Sequence, residues 1–495
     1  MLKNIELKMN EIKYICKKHE LNMDHFWLEV NRQFNLTQAK NAGNREKRNG
    51  TPIGLMFEIA VALPLFCSNS VYSFFNSQYT KMIACGAIPF YRFFQDSLFD
   101  WRKVVYQFNS QLKHSDNIQE CETKYPTALI IDDTVIQKAG KRIEGVTKVH
   151  DHVTGKSVTG FKLLGLCWFN GFYARFLDFS LVGEKKIKLK RSKPQFKKKR
   201  NSDSPGHQRK KELNKDKITL ACDLIRNAIK HRFIPDYVLT DTWFTCAKLI
   251  NTVRSIAKGK IHFLGMIKNG KRKYEYEEQV FTLSQLRKHV MHRVKRCSRF
   301  KSRYVIVDCT IPDIGQVRLF FSRFHGNKKW VALVTTKLDM SYIKALEVYA
   351  IRWNIEIGFK ETKQLLGLGK HQANDFSSQI AHTSNVFIVH AILANCNYND
   401  SHQTLGVLFE NIQDQYTKLL TMDKLLILFE ELLRSIGEHL GGIQNITVEE
   451  LLNSQEYLLF KEMLDKSLSF NVNFANCRLR TDNEEDMTDE FKIAS

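Results

Sequence analysis

The chain has 495 residues, of which 43% are hydrophobic and 26% are charged; these proportions are typical of a folded protein and exclude global disorder. At this length we expect about two or three packing units rather than a single core. The formal net charge of +23 indicates a polyanionic partner, and because no uninterrupted apolar run reaches the roughly 18 residues of a membrane span, nucleic acid is favoured over a membrane.

Cysteine usage and the N-terminal sequence both favour a cytoplasmic protein. The 11 cysteines contain no Cys-x-x-Cys pair, which predicts reduced thiols rather than a disulfide framework or a zinc knuckle. No apolar segment follows the first charged residues, so we expect no export signal. The triplet His150-Asp151-His152 is interpreted as a polar turn between strands, with a structural zinc site as the alternative.

The first 124 residues have a helical pattern with short loops, and we expect them to form a separate helical domain. Their longest apolar segment, residues 53–67, contains Glu58 and Pro64. It is therefore predicted to be a buried helix rather than a membrane span.

From residue 127 the pattern changes to strands. The run Ala128-Leu129-Ile130-Ile131 leads into Asp132-Asp133-Thr134, which predicts a buried strand whose carboxyl end carries acids. Residues 157–169 and 174–182, separated by Asn170-Gly171, predict two further strands and an antiparallel meander.

Residues 185–211 form a basic segment that holds thirteen Lys or Arg, including Lys197, Lys198, Lys199 and Arg200. Proline residues interrupt any helical pattern, so we expect an exposed loop. Such a loop is suited to track phosphates, although a solubilising loop without a binding role is the alternative.

The rest of the chain alternates helices and strands before it becomes helical. A short strand at residues 236–240 ends in Asp241, and another is expected at 261–267. The remaining divisions are a domain at 125–270 and 339–375, a β-rich insertion at 271–338, a helical region at 376–480 and an acidic tail at 481–495.

One helical segment carries a set of polar side chains suited to binding phosphates. On a continuous helix, Tyr349, Arg352, Glu356 and Lys363 project within an arc of about 60°, and Trp353 flanks that face. A solvated amphipathic helix with an Arg352–Glu356 pair is the plain alternative. Two acids at strand ends, Asp133 and Asp241, favour a site instead, since open α/β sheets place their sites there.

These residues resemble the DDE transposases with a ribonuclease-H-like fold, and among them the bacterial cut-and-paste insertion-sequence group. The signature of that group, Tyr-x2-Arg-x3-Glu-x6-Lys, is present at residues 349–363, and the similarity spans residues 127–375. It implies an α+β or α/β fold: a ribonuclease-H-like mixed sheet flanked by helices, with a β-rich insertion and helical N- and C-terminal regions.

The resemblance also implies roles for individual residues. Asp133, Asp241 and Glu356 would be the catalytic ligands of Mg²⁺, with Mn²⁺ as a substitute. Asp132 is an alternative to Asp133, because a shift of one residue changes the face of a strand. Contacts to DNA phosphates are implied for Tyr349, Arg352 and Lys363.

The activity implied is cleavage at transposon ends, through a hairpin intermediate, followed by strand transfer into target DNA. Trp330 and Trp353 are candidates for stacking on an extruded base, and core packing is an equally good interpretation of both. The expected partners are terminal inverted repeats, target DNA and a second copy of the chain, in a bacterial cytoplasm at the nucleoid. A DNA-binding regulator without catalysis and a nuclease without strand transfer are the alternatives.

Overall fold

A computed structural model of the protein describes residues 40–43, 50–65, 71–75, 86–118, 125–184, 193–399, 404–410 and 413. Several predicted features lie outside these residues. They are the first part of the N-terminal region, the basic residues 185–192, most of the C-terminal helical region and the acidic tail at 481–495.

Within the described residues, four α-helices precede the first strand: α1 (Ile53–Ala62), α2 (Val71–Phe75), α3 (Ala87–Phe94) and α4 (Trp101–Ile118). Most of the described side chains of α1 belong to the core, which confirms a buried helix over this part of the predicted segment 53–67; residues 66 and 67 lie outside the described residues. Aromatic rings hold this group together, with Phe93 and Phe99 each packed on Trp101. Among the described helices, none combines the length and the apolar character that a bilayer crossing requires.

In the part of the chain that the structure describes, twelve strands form one mixed sheet. Its first part contains β1 (Ala128–Gln137), β2 (Thr147–Asp151), β3 (Lys156–Phe169), β4 (Ala174–Val182), β5 (Tyr237–Thr240) and β6 (His262–Ile267). β3 runs antiparallel to β1, β2 and β4, whereas β5 is parallel to both β1 and β6. The predicted antiparallel meander is therefore confirmed.

The predicted β-rich insertion contains six strands and one helix. They are β7 (Lys273–Tyr276), β8 (Gln279–Thr282), α8 (Leu283–His289), β9 (Lys295–Cys297), β10 (Ser302–Ile311), β11 (Gly315–Phe324) and β12 (Val331–Thr335). β12 pairs antiparallel with β6. The insertion therefore extends the first part of the sheet instead of forming a sheet of its own.

Helices cover both faces of the sheet. Residues Ala128 and Ile130 of β1 pack with helices α10 (Trp353–Gln364) and α11 (Phe376–Asn399), and the described N-terminal helices join the same core. Residues Leu129 and Ile131 pack instead with α6 (Lys217–Lys230) and α7 (Ala247–Ser255). This alternation is the ordinary geometry of a strand that is buried on both faces. The arrangement confirms a mixed sheet flanked by helices, as expected for a ribonuclease-H-like fold.

The basic segment is not a loop throughout, so that part of the prediction is wrong. Residues Pro205–Glu212 form helix α5. Ser204 caps this helix by accepting a hydrogen bond from the amide of His207. Pro205 does not break the helix, because a proline in the first turn removes an N–H group that has no partner within the helix.

Candidate active site

Strand register brings two acids side by side. β1 and β5 are parallel, with Ile131 opposite Thr240, so the next residues along, Asp132 and Asp241, are neighbours. The preceding pair on this face, Ile130 and Leu239, belongs to the core that contains α10. Because side chains alternate along a strand, Asp132 and Asp241 share this face.

An arginine joins Asp132 to Glu356. The guanidinium of Arg352 lies 3.2 Å from a carboxylate oxygen of Asp132 and 2.6 Å from one of Glu356. Glu356 is in the first turn of α10, where the helix dipole favours a negative charge. Arg352 thus bridges carboxylates on β1 and α10, and its charge also acts on Asp241, which follows β5.

The two aspartates hold their protons more tightly than usual. Burial, and then the neighbouring charge of Asp241, raise the pKa of Asp132 to about 7, although Arg352 opposes this. Burial also raises the pKa of Asp241. Two neighbouring acids with raised pKa values are a marker of a functional site, and a cation would relieve their repulsion.

Asp133 lies on the opposite face of β1. Its carboxylate is 2.8 Å from the ammonium group of Lys217 on α6, and its strand neighbours Leu129 and Ile131 pack in the core on that side. The structure therefore favours Asp132 over Asp133 as the partner of Asp241 and Glu356. Because side chains alternate along a strand, the sequence alone did not decide between Asp132 and Asp133. The same alternation places the two residues on opposite faces of the sheet.

The signature segment is not one continuous helix, contrary to the prediction. Helix α9 (Tyr342–Ala350) ends before Arg352, and α10 begins at Trp353. At the junction the amides of Ile351 and Arg352 donate to carbonyls three residues back, at 3.2 and 3.0 Å. Such tightening shifts the helix axis slightly but keeps the backbone helical, so the signature side chains stay on one side.

The other signature residues flank the same site. The Lys363 ammonium donates to the hydroxyl of Thr134, 2.6 Å away, and Thr134 shares the face of Asp132. The ring centroid of Tyr349 lies 5.7 Å from the Arg352 guanidinium carbon. Burial raises the pKa of Tyr349 to about 12, so its hydroxyl is a hydrogen-bond donor at neutral pH.

The two predicted stacking tryptophans are both partly buried. Trp353 is the first residue of α10, beside Arg352. Trp330 precedes β12, and Arg323 lies over its ring at 5.4 Å. Trp330 packs on the core at the Asp133 face, a position that agrees with the packing interpretation.

Alternate residues of the basic segment face opposite ways. Lys197 and Lys199 are exposed, whereas Lys198 donates to the carbonyl of Gln95 at 2.8 Å. The side chain of Arg200 is fully buried and pairs with Glu144 and Asp375, at 2.6 and 3.0 Å. An arginine committed to two buried carboxylates holds the fold together, so this position does not favour the predicted DNA contact of Arg200.

The His150-Asp151-His152 triplet lies where β2 turns into β3, as the interpretation of a polar turn requires. Asp151 accepts hydrogen bonds from the amide of Val153 and the hydroxyl of Thr154, at 3.1 and 2.8 Å. The two histidine rings meet edge to face. Within the described part of the chain, no three His, Cys, Asp or Glu side chains converge closely enough to hold a metal as they stand.

Comparison with known families covers the same region. Residues 80–299 match the model of the DDE superfamily endonucleases, and residues 213–392 match that of the transposase DDE domain. The chain is similar to DDE transposases. These two matches indicate a nuclease-type enzyme, and the transposase similarity indicates a DNA partner. No curated protein matches the chain.

The donor set suits the divalent ions that DDE transposase domains generally use. Asp132, Asp241 and Glu356 offer only carboxylate oxygens, which are the ligands of hard cations such as Mg²⁺. In the structure Arg352 supplies the balancing positive charge between Asp132 and Glu356. The residues therefore fit a divalent cation, provided that Glu356 turns away from Arg352.

Proposed function

We propose that the protein is a metal-dependent DNA transposase of the bacterial cut-and-paste type, with Asp132, Asp241 and Glu356 as its catalytic carboxylates. The observation that carries this proposal is the register of β1 and β5, which makes Asp132 and Asp241 neighbours on the face covered by α10. The salt bridges of Arg352 to Asp132 and Glu356 support the third member.

The three acids would hold Mg²⁺, for which Mn²⁺ is expected to substitute. Such ions activate an attacking oxygen and stabilise a leaving oxygen of a phosphodiester. The chain's own residues then position the DNA. Arg352 and Lys363 offer cationic hydrogen-bond donors to phosphates, and Tyr349 offers a hydroxyl beside them.

A single carboxylate site of this kind would serve every step of the reaction: a nick at the element's end, hairpin formation, reopening by water and strand transfer into target DNA. Residues 1–124 are proposed to bind the terminal inverted repeats, and residues 376–480 to pair two ends in a homodimer. Exposed Lys197 and Lys199 are proposed to contact phosphates, as the bulk charge of +23 favours.

The decisive experiment compares two glutamates on the same helix. Purified parent protein is incubated with Mg²⁺ and duplex DNA carrying the inverted repeats that flank its coding sequence. Glu356→Gln should retain DNA binding and lose cleavage. Glu361→Gln is the matched control, because Glu361 bonds to His390 at 3.0 Å rather than to the site, and it should cut like the parent.

Three outcomes would contradict the proposal in different ways. Undiminished cutting by Glu356→Gln would remove Glu356 from the site. Binding without any product in Mg²⁺ or Mn²⁺ would favour a regulator derived from a transposase. Cleavage without joined target product would favour a nuclease.

A further inference from the structure

A lysine on the opposite face of the sheet lies against both strand ends that carry the proposed aspartate ligands. Lys217 is the first residue of α6. Its ammonium group lies 2.8 Å from a carboxylate oxygen of Asp133 and 3.7 Å from the centroid of the Trp243 indole ring. Asp133 directly follows Asp132, and Trp243 follows Asp241 by two residues. One cation therefore contacts both chain segments that hold the site.

The two residues that Lys217 contacts also bond to the candidate ligands. The amide of Asp133 donates to a carboxylate oxygen of Asp132 at 2.7 Å. The amide of Trp243 donates to a carboxylate oxygen of Asp241 at 3.0 Å. The backbone of each segment thus sets the direction of its own carboxylate. In both segments Lys217 holds the side chain of the residue that donates the bond.

The contacts of Lys217 are sheltered and rest on a rigid element. The side chains of Lys217 and Asp133 are 13% and 14% exposed, so water and salt screen this pair less than one at the open surface. A cation in the first turn of a helix works against the helix dipole, so contacts outside α6 must stabilise the ammonium group there. Leu220 and Leu224 of the same helix are buried in the core on this face, which fixes the helix that carries the lysine.

We infer that Lys217 is a positioning residue, a clasp that holds the Asp132 and Asp241 carboxylates at the separation and direction that a divalent cation requires. This inference rests on the proposed function. Like charges on neighbouring strand ends repel each other, and the clasp opposes their displacement from behind the sheet, where it occupies no ligand position. Groups that orient metal ligands in this way control the affinity of a site without touching the ion.

The test measures Mn²⁺ binding by the full-length protein without DNA, from the electron paramagnetic resonance signal of the free ion. Asp241→Asn identifies the binding that belongs to the site. Lys217→Met keeps the apolar stem of lysine but removes its charge, and it should weaken that binding about 10- to 100-fold. Lys217→Arg should recover part of the affinity. The matched control is Lys215→Met, which removes a lysine paired with Asp223 at 3.1 Å and should bind Mn²⁺ like the parent.

A double variant separates positioning from a loss of charge balance. Lys217→Met leaves the Asp133 carboxylate without this partner, which by itself destabilises the fold. When Lys217→Met is combined with Asp133→Asn, both charges of the pair are removed but the clasp is still absent. Chemical denaturation should then show recovered stability, whereas the Mn²⁺ affinity should stay low. Parental Mn²⁺ affinity in the double variant would overturn the inference.

Cleavage of the repeat-bearing duplex, measured across Mg²⁺ concentrations, keeps the clasp and the proposed function apart. Lys217→Met should raise the Mg²⁺ concentration for half-maximal cleavage and largely recover the parental rate at saturation, because its ligands are present but poorly placed. If Lys217→Met bound Mn²⁺ like the parent while Glu356→Gln lost cleavage, the clasp would be wrong and the transposase proposal would stand. If the parent never cut DNA but Lys217→Met still lost Mn²⁺ affinity, the clasp would stand without that function. Mn²⁺ binding that Asp241→Asn leaves unchanged would contradict the clasp, since the carboxylates that it holds would not be ligands.

Discussion

At the scale of single residues, the central feature is a pair of adjacent aspartates with different surroundings. Asp132 meets Arg352 and neighbours Asp241, whereas Asp133 pairs with Lys217 on the other side of the strand. The pair is separated by one peptide bond, yet a sheet lies between the two carboxylates. The two carboxylates therefore have different partners and act on different faces of the sheet.

This difference predicts opposite results for two isosteric substitutions. Asp132→Asn should lower the rate of metal-dependent cleavage by more than the roughly 10- to 100-fold that loss of an outer-shell partner costs. Asp133→Asn should lower it by about 10-fold at most, because that carboxylate acts on Lys217. Single-turnover cleavage at saturating metal measures both. Equal losses, or a larger loss for Asp133→Asn, would return the ligand role to Asp133.

At the scale of elements, the distance of α10 from the sheet depends on a glycine. Gly165 of β3 lies opposite Asp132 of β1. A Cβ atom added at Gly165 would lie 2.8 Å from the ring of Phe359 and 3.4 Å from that of Phe176. The absent side chain lets α10, and with it Glu356, approach the strand that carries Asp132.

Gly165→Ala should therefore displace α10 and disturb both folding and catalysis. Overpacking of this kind costs about 1–3 kcal/mol of unfolding free energy, and cleavage should fall more steeply than stability. The measurements are chemical denaturation and single-turnover cleavage. Gly270→Ala is the control, because the nearest atom to its added Cβ would be 3.9 Å away. A Gly165→Ala protein with parental stability and rate would show that Phe359 yields freely.

Some elements could be predicted from sequence because their information is local. The run that precedes Asp132, the turn at Asn170-Gly171 and the acid after residues 236–240 were sufficient to predict β1, the meander and the strand end at Asp241. The face of the sheet on which an acid lies could not be predicted in this way. It depends on the pairing of β1 with β5, more than 100 residues away, which local periodicity does not contain.

Other features depended on tertiary contacts that the sequence does not reveal. Arg200 lies in a basic run, but its fold places it between Glu144 and Asp375. The junction at Arg352 has no proline or glycine to signal it.

At the scale of the whole molecule, a cluster of two histidines and a lysine should make the stability of the fold depend on pH. The rings of His371 and His382 stack with centroids 5.0 Å apart, and Lys138 donates to the carbonyl of His371 at 2.7 Å. Burial lowers the pKa of His382 to about 4 and that of Lys138 to about 7, and it holds the pKa of His371 well below its usual range. The fold therefore keeps both histidines neutral.

The sign of the pH dependence follows from the unfolded chain, where histidine titrates near pH ~6.5. Between about pH 6.5 and 4 the unfolded state takes up protons that the folded state excludes, so the unfolding free energy should fall as the pH falls. His382 alone should contribute up to about 3 kcal/mol of this loss at pH 4. Denaturation from pH 7.5 to 4.5 should be flatter for His382→Gln than for the parent or for His292→Gln, an exposed control. Identical curves would show that His382 does not contribute to this pH dependence.

The positive charge of the molecule should act on DNA through its exposed lysines. The basic segment contains both exposed lysines and basic side chains that bind other parts of the fold. Lys197 and Lys199 face outward, so their double alanine variant should reduce the slope of log affinity against log salt for duplex DNA by about 2. The control, Lys230→Ala with Lys260→Ala, removes the same charge from exposed positions before β5 and β6, at the sheet edge opposite Asp241. Equal reductions in the two variants would mean that bulk charge, rather than this segment, contacts the phosphates. A reduction confined to the Lys197 and Lys199 variant would assign the segment to the DNA path that leads to the carboxylates.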